Sequence, residues 1–369
     1  MSDPIFGTDP LDGSNFSFGQ RLRSTPHMND ILPWLRNLDS ALENAIARNW
    51  NYLCAGHANN DALACTFSPT TGKWITVGNT GGGAPAASSS YDGIQFTASA
   101  PGAGIALTGL DCVASRTTAG TIVAGGSAGA TTDNYRTNTA GGGGAWAAGI
   151  SSSAAAHDIR TICWTGLMFV AGSVASGGAN IIEYNFTGLG LWTATAVPAA
   201  CAAYSWIASA SDGADCVVLV PSDVGATSFA VSSFTPPTFA AKTVPAGTWK
   251  AVAYAAQSGE WLAVGDATIV QSLDADSWAV GTATLPGTMT AAFGLASTGN
   301  LFVLAWGDGA AVYISVSNDW GATWRRVYKN GAIGTMAANS LAFGKTTDGG
   351  GRLCLCDAVQ SYVSHRVEI

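Results

Sequence analysis

Cysteine and histidine are the residues of this chain with the most chemistry to offer, and their spacing uses little of it. The eight cysteines, Cys54, Cys65, Cys112, Cys163, Cys201, Cys216, Cys354 and Cys356, stand singly except for the last two. Cys354 and Cys356 lie two apart and so share one face of a strand, a spacing that is neither a zinc knuckle nor a redox C-x-x-C. They read as buried thiols in a reducing compartment. The four histidines, His27, His57, His157 and His365, form no H-E-x-x-H, no paired ligand spacing and no Ser/His/Asp order, and read as surface or turn residues. The stretches NTGGGAPAASSS and TAGGGGAW lack the lysine and helix start of a phosphate loop and read as flexible hairpin tips. These residues predict no catalytic, cofactor-binding or metal-binding set.

A second group has a sharper spacing. In SVSNDWGATW, residues 315 to 324, Ser317, Asp319, Gly321, Thr323 and Trp324 spell a turn. Asp319 can accept from backbone N–H groups just ahead of it, Gly321 can take a positive φ, and Trp324 starts a strand with a large apolar anchor. The same turn recurs in weaker form in SSYDGIQF (Ser89, Asp92, Gly93, Phe96) and QSLDADSW (Ser272, Asp274, Trp278), while NFTGLGLW keeps Gly190 and Trp192. A repeated hairpin tip needs a repeated body to carry it.

That body is visible as apolar runs that end on Gly78, Gly125, Gly172, Pro221, Gly265, Trp306 and Asp357, at steps of 47, 47, 49, 44, 41 and 51 residues. Each run follows a first strand and a small turn, as in LACTFSPTTG or KAVAYAAQSG, and precedes a third strand, the tip and a last strand begun by an aromatic residue. Four antiparallel strands per unit, at this period, predict an all-β seven-bladed β-propeller. The last unit has three plausible strands before the C-terminus. Its fourth is expected from RNWNYLCAG at residues 48–56, with Trp50 as the aromatic, because closing the ring from the other terminus removes two open edges.

Ahead of the propeller, assigned to residues 49–369, the pattern changes. Residues 1–28 are rich in Gly, Ser, Pro and Asp without periodicity and read as an extended arm. Residues 29–48 read as the one α-helix, capped by Asn29 or Asp30 with Pro33 in its first turn. Ile31, Leu35, Leu38, Leu42 and Ala45 form a heptad seam about two repeats long, which fits either packing on the chain's own domain or self-association, with a trimer favoured.

Composition narrows the function. With 47% apolar and 11% charged residues the chain of 369 can bury a large core, and its formal net charge of −8, with no basic run beyond Arg325-Arg326, argues against nucleic acid. No apolar run is long enough to span a membrane, and MSDPIFGTDPLDG has neither the basic start nor the apolar stretch of a signal peptide.

SNDWGATW resembles the Asp-box of the BNR-repeat families, carried here by Ser317, Asp319, Gly321, Thr323 and Trp324. WKAVAYAAQSGEWLAVGDATIVQSLDADSW resembles the repeat of the photosystem II assembly-factor-like propellers, and propellers of that kind are also modules of phage virion proteins. The layout of arm, heptad helix and Gly/Ala/Ser/Thr-rich β body is similar to that of a phage tail-fibre, receptor-binding or other tail-attached protein. The resemblance implies a virion protein assembled in the host cytoplasm, with residues 1–48 meeting other tail proteins and the propeller meeting a host glycan or protein. A cellular scaffold that docks another protein fits the same fold.

Sialidases share the Asp-box and imply a third reading, since they resemble one another in using an Arg cluster, a Tyr–Glu nucleophile pair and an Asp acid/base. Glu183 sits beside Tyr184, but adjacent strand residues face opposite sides, so the pair does not converge. Among the tryptophans, Trp74, Trp261, Trp278 and Trp324 hold repeat positions and read as packing residues. Trp164, Trp206 and Trp306 fall off that register and are candidates for stacking on sugar rings if exposed. The expectation is a non-enzymatic binding protein.

Overall fold

A computed structural model describes residues 53–54, 60–80, 84–93, 96–99, 107–128, 134–151, 157–175, 180–233, 235–266, 268–280, 289–299, 301–330, 341–345, 351–356 and 361–363, all within the unit Asn49–Ile369. The arm, the helix with Ile31, Leu35, Leu38, Leu42 and Ala45, and Trp50 lie outside the described residues.

The described chain is almost wholly strand. β1 (Leu53–Cys54) is followed by β2 (Asn60–Ser68), β3 (Lys73–Thr80), β4 (Pro85–Ser90) and β5 (Thr97–Ser99), which pair in sequence order as one antiparallel sheet. β6 (Leu107–Ser115), β7 (Ile122–Ala128), β8 (Tyr135–Asn138) and β9 (Ala147–Ile150) repeat that order. So do β10 (His157–Trp164), β11 (Phe169–Ala175), β12 (Ile182–Asn185) and, past the two-residue β13 (Gly190–Leu191), β14 (Thr193–Thr195). One bridge, Asp158 opposite Ser127, and the parallel pairing of β13 with β9 join these two groups.

Three further sheets follow: β15 (Trp206–Ser211), β16 (Val217–Pro221), β17 (Ala226–Ser232) and β18 (Ala240–Gly247); β19 (Trp249–Ala255), β20 (Glu260–Gly265), β21 (Ile269–Ser272) and β22 (Ala279–Val280); β23 (Ala291–Ser297), β24 (Phe302–Gly307), β25 (Val312–Ser317) and β26 (Arg325–Asn330). The last group holds β27 (Leu341–Lys345), β28 (Gly351–Cys356) and β29 (Ser361–Val363). Its fourth strand is β1, antiparallel to β29 with Leu53 opposite Tyr362 and Cys54 opposite Ser361. That strand comes from the segment expected to supply it.

The first strands pack each on the next, β2 on β6, then β10, β15, β19, β23 and β27, and β27 packs on β2. The order of sheets therefore closes on itself. Burial explains which sequence becomes which strand. The second and third strands are covered on both faces, as in β16, β24 and β25, where every residue is buried, so runs such as VVLVP and FVLAWG need no polar alternation. The fourth strands are the exposed rim, as in β5, β9, β14 and β22, and tolerate Thr, Ala and Gly. Separate apolar clusters fill the seams between neighbouring sheets, for example Trp206 with Val217, Leu219 and Met168 between the third and fourth groups.

A bulge recurs in the first strands, between Ala62 and Ala64, Leu110 and Cys112, Ile159 and Thr161, Trp206 and Ala208, Trp249 and Ala251, and Ala292 and Gly294. It falls opposite the end of the second-strand run and turns the first strand toward its neighbour. This is why glycine ends several of those runs, although Pro221 and Trp306 hold the same place in two of them. A Cβ on Gly125 would lie 2.4 Å from Cγ2 of Ile159, and one on Gly172 would lie 2.8 Å from Cβ of Trp206, each in the next sheet.

Candidate functional site

The tip of the β23–β26 sheet forms the turn expected from its residues. Ser317 Oγ donates to Asp319 Oδ1 at 2.8 Å and accepts from the N–H of Gly321 at 2.7 Å. Asp319 also accepts from the N–H and hydroxyl of Thr323, at 2.8 and 2.6 Å. Gly321 takes φ 87° and Trp320 φ 58°, and Trp324 is buried directly ahead of β26. Partial burial pushes the Asp319 carboxyl upward, but Thr323 and Ser317 together hold it below its ordinary value of 3.8.

The other tips use the same place in the sheet with different letters. β4, β8, β12, β17, β21 and β25 end on Ser90, Asn138, Asn185, Ser232, Ser272 and Ser317. Ser272 donates to Asp274, which accepts from the N–H groups of Asp276 and Ser277. In the first sheet the capping residue is Ser90 in place of the expected Ser89: Ser90 Oγ bonds Asp92 and the Gly93 N–H, both at 2.8 Å, because Ser89 points one residue out of phase. In NFTGLGLW the capping residue is Asn185, which the serine-based pattern passes over. Its Oδ1 accepts from the N–H groups of Thr187 and Gly188, and its Nδ2 donates to the carbonyls of Leu189 and Leu191. Asn138 does the same across the glycine-rich tip 139–145. Six to eight residues on stands Phe96, Trp146, Trp192, Phe239, Trp278 or Trp324, packed at the start of the rim strand.

These tips share one face with the turns between first and second strands. Thr70 donates to the carbonyl of Thr117 at 2.7 Å, and the N–H of Gln257 reaches the carbonyl of Gly299 at 3.4 Å, so such turns abut from one sheet to the next. The face leaves large apolar groups in solvent: Tyr91 is 69% exposed, Leu273 73%, Leu167 54%, and Phe186 and Trp320 48% each. Apolar residues set singly on a surface are ordinary, and others stand elsewhere, as Val224 at 89% between β16 and β17.

On the axis lies a cavity of about 140 Å³ lined by Cys65, Cys112, Ile162, Ser209, Ala251, Leu295 and Leu341, one from each first strand, with Val113 and Val252. No carboxylate is among its lining residues. Asp111, beside it in sequence, is tied to Arg160 at 3.4 Å and to Ser127 Oγ at 3.0 Å, and Asp158 holds the same guanidinium at 3.3 Å. Burial raises the Asp111 pKa more than Arg160 lowers it. Two carboxylates bound to one arginine do not face each other across a substrate.

A buried polar node sits between the second and third groups. Glu183 is fully buried and accepts from the Tyr135 hydroxyl at 2.7 Å and from Ser151 at 2.9 Å. Tyr135 stacks on Trp192 at 3.9 Å, and burial followed by the Glu183 charge raises its pKa well above the ordinary value. Glu183 does not join Tyr184, as expected, yet a tyrosine one repeat earlier takes that place. His157, expected on the surface, is the first residue of β10 and 2% exposed, and burial lowers its pKa against the pull of Glu183 and Asp158.

Cys65, Cys112, Cys163, Cys201, Cys354 and Cys356 are buried and Cys216 is half-buried. Cys354 and Cys356 do share a face of β28, and Cys65 of β2 joins them, with the three Sγ atoms within 4.8 Å of one another. The single spacing of Cys65 gave no hint of this. Burial pushes the Cys65 thiol up. At Cys354 the contacts with Cys356 and Cys65 lead, and burial adds to them. Burial, added to by Cys216 and opposed by the Ser209 hydrogen bond, takes Cys163 to about 12.

Burial removes two of the three candidates for sugar stacking. Trp206 and Trp306 are 0% and 1% exposed. Trp306 stacks on Tyr313 at 4.5 Å and donates to Ser315 Oγ at 2.8 Å, inside a strand covered on both faces. Trp164 is half-buried against Phe169, with the Arg116 guanidinium 5.1 Å from its ring. Trp74, Trp261, Trp278 and Trp324 are buried packing residues.

No family model matches the sequence, and no curated protein matches it. Solved structures do match the fold. Kuenenia stuttgartiensis hydrazine synthase superposes with a TM-score of 0.61 at 11% identity, over 83% of this chain and 96% of that one. U3-55K gives 0.58 at 10% over 85% and 97%, and the WD40 repeats of RRP9 give 0.55 at 9% over 85% and 96%. At such identity the likeness is one of fold alone, and the fold is a β-propeller.

Proposed function

We propose that residues 49–369 are a seven-bladed propeller closed by β1, and that the chain is a non-enzymatic binding protein of a phage tail. In this reading the arm 1–28 and the helix 29–48 fasten it to other tail proteins, with Ile31, Leu35, Leu38, Leu42 and Ala45 as a trimer seam. The propeller presents the face of tips, with Tyr91, Leu167, Phe186, Leu273 and Trp320, to a neighbouring virion protein or to a host surface. The observation that carries the binding role is the contrast between that apolar face and an axial cavity whose described lining is aliphatic, thiol and hydroxyl. A contact surface needs the first, and glycoside chemistry needs carboxylates the second does not offer.

Light scattering tests the attachment. The full chain is expected to be a trimer, and a truncated chain starting at Arg48 a monomer. Two monomers would remove the self-association on which the anchoring role rests and favour a docking scaffold. Hydrolysis of model glycosides at enzyme-like rates by the purified protein would overturn the non-enzymatic reading.

A further inference from the structure

The cycle of sheets closes between its first member, β2–β5, and its last, β27–β29 with β1. The strand pairing across the chain ends is short, two residues of β1 on β29. At that seam Cys65 of β2 meets Cys354 and Cys356 of β28, 289 and 291 residues away along the chain. All three are buried, and Cys65 Sγ reaches the carbonyl of Cys354 at 3.4 Å. Ala62, Phe67 and Trp74 complete the shell from one side and Ala342 packs from the other. Among the described residues no other trio of Cys, His, Asp or Glu converges in this way.

Thiols can fill space as small apolar groups, as Cys112, Cys163 and Cys201 do singly. Three sulfurs from two distant segments, all within 4.8 Å of one another, have a second use. A zinc ion binds thiolate at about 2.3 Å, which sets tetrahedral sulfurs about 3.8 Å apart. Sulfurs already within 4.8 Å need contract by about an ångström at most, within reach of small side-chain rotations. Cys65 also lines the axial cavity of about 140 Å³, room for the water or small anion that would complete four-coordination.

We propose that Cys65, Cys354 and Cys356 bind one thiophilic metal ion of the zinc type, which clamps the first and last sheets of the ring, with the fourth coordination position open to the axial cavity. On binding, the three thiols release three protons to solvent, and Zn²⁺ with three thiolates carries one net negative charge spread over sulfur. The ion bridges segments nearly the whole ring apart, so it acts where a ring held by non-covalent contacts is easiest to open. This inference is independent of the phage reading.

The test uses the full chain, reduced and stripped with a chelator, then titrated with Zn²⁺ against a chromophoric competitor and with Co²⁺ as a spectroscopic reporter. One equivalent of Zn²⁺ is expected to be retained, with sulfur-to-cobalt charge-transfer absorption. Cys65→Ser, Cys354→Ser and Cys356→Ser should each weaken retention at least tenfold and remove that absorption. Cys112→Ser, which alters the same cavity outside the trio, should leave both unchanged. If the serine variants do not fold, the wild-type chain decides alone: in mild denaturant Zn²⁺ should slow alkylation of Cys65, Cys354 and Cys356 at least tenfold and leave Cys163 and Cys201 unaffected. Failure to hold one equivalent, uptake that survives all three substitutions, or equal protection of every cysteine would overturn the proposal.

Discussion

Removing the amide of Asn185 should open one propeller tip and spare the others. Asn185 is 8% exposed and ties four backbone groups: the N–H of Thr187 at 2.8 Å, the N–H of Gly188 at 2.7 Å, and the carbonyls of Leu189 and Leu191 at 3.0 Å each. In Asn185→Ala the Gly188 N–H is left buried, which costs about 1–3 kcal/mol. Thr187, Leu189 and Leu191 are exposed, so their groups turn to water and each adds only about 0.5 kcal/mol or less. The sum is about 1–4.5 kcal/mol. Asn185→Ser should recover part of this, since a serine caps the Ser90 tip by accepting a glycine N–H at 2.8 Å. Asn185→Asp should not, because it sets an acceptor against the carbonyls of Leu189 and Leu191. Urea unfolding followed by circular dichroism gives the order, and amide exchange at Gly188 shows whether the loss is local. An alanine variant within about 0.5 kcal/mol of wild type, or an aspartate variant more stable than the serine one, would refute the capping argument.

Gly125→Ala should destabilise by about 1–3 kcal/mol, because the new Cβ meets Ile159 of the neighbouring sheet at 2.4 Å; the same urea titration measures it. Trp306→Ala should lower stability by about 3–5 kcal/mol, whereas Trp320→Ala, at an exposed tip, should change it by less than about 0.5 kcal/mol in the same titration. His157 has its pKa lowered on folding, so the unfolded chain takes up the proton first as pH falls through 6.5. Stability should therefore fall with pH from that value down to the folded one, and His157→Gln should flatten the slope of the urea midpoint between pH 7 and 5.

The spacing of the second strands was legible because those strands are buried on both faces, which leaves an unbroken apolar run, in several sheets closed by a glycine opposite the bulge. The closing strand was legible from a missing partner, and β1 on β29 supplies it. Less legible were the tips. Asn185 and Ser317 differ in letter and agree in geometry, since each offers an oxygen to a glycine N–H three or four residues ahead. Trp206 and Trp306 misled for a related reason. An off-register tryptophan signals exposure only if the strand has an exposed face, and β24 has none. Contacts one repeat apart, Tyr135 with Glu183, or across the whole ring, Cys65 with Cys354, leave no local pattern at all.

The same reasoning accounts for neighbours that share the fold at 9–11% identity. Each sheet asks for a two-faced apolar strand, a small residue where the bulge meets the next sheet, a cap at the tip and an aromatic anchor behind it. Every one of these demands has several chemical answers: Val, Leu or Phe for the run, Gly or Ala at the close approach, Ser or Asn for the cap, Trp or Phe for the anchor. Spacing is then held by the geometry of the ring while letters drift, and the fold is readable long after residue identity has ceased to report it. What the ring constrains least is the exposed side of the tips, where Tyr91, Phe186, Leu273 and Trp320 stand largely in solvent. Residues in that position can change with least cost to the sheets beneath them.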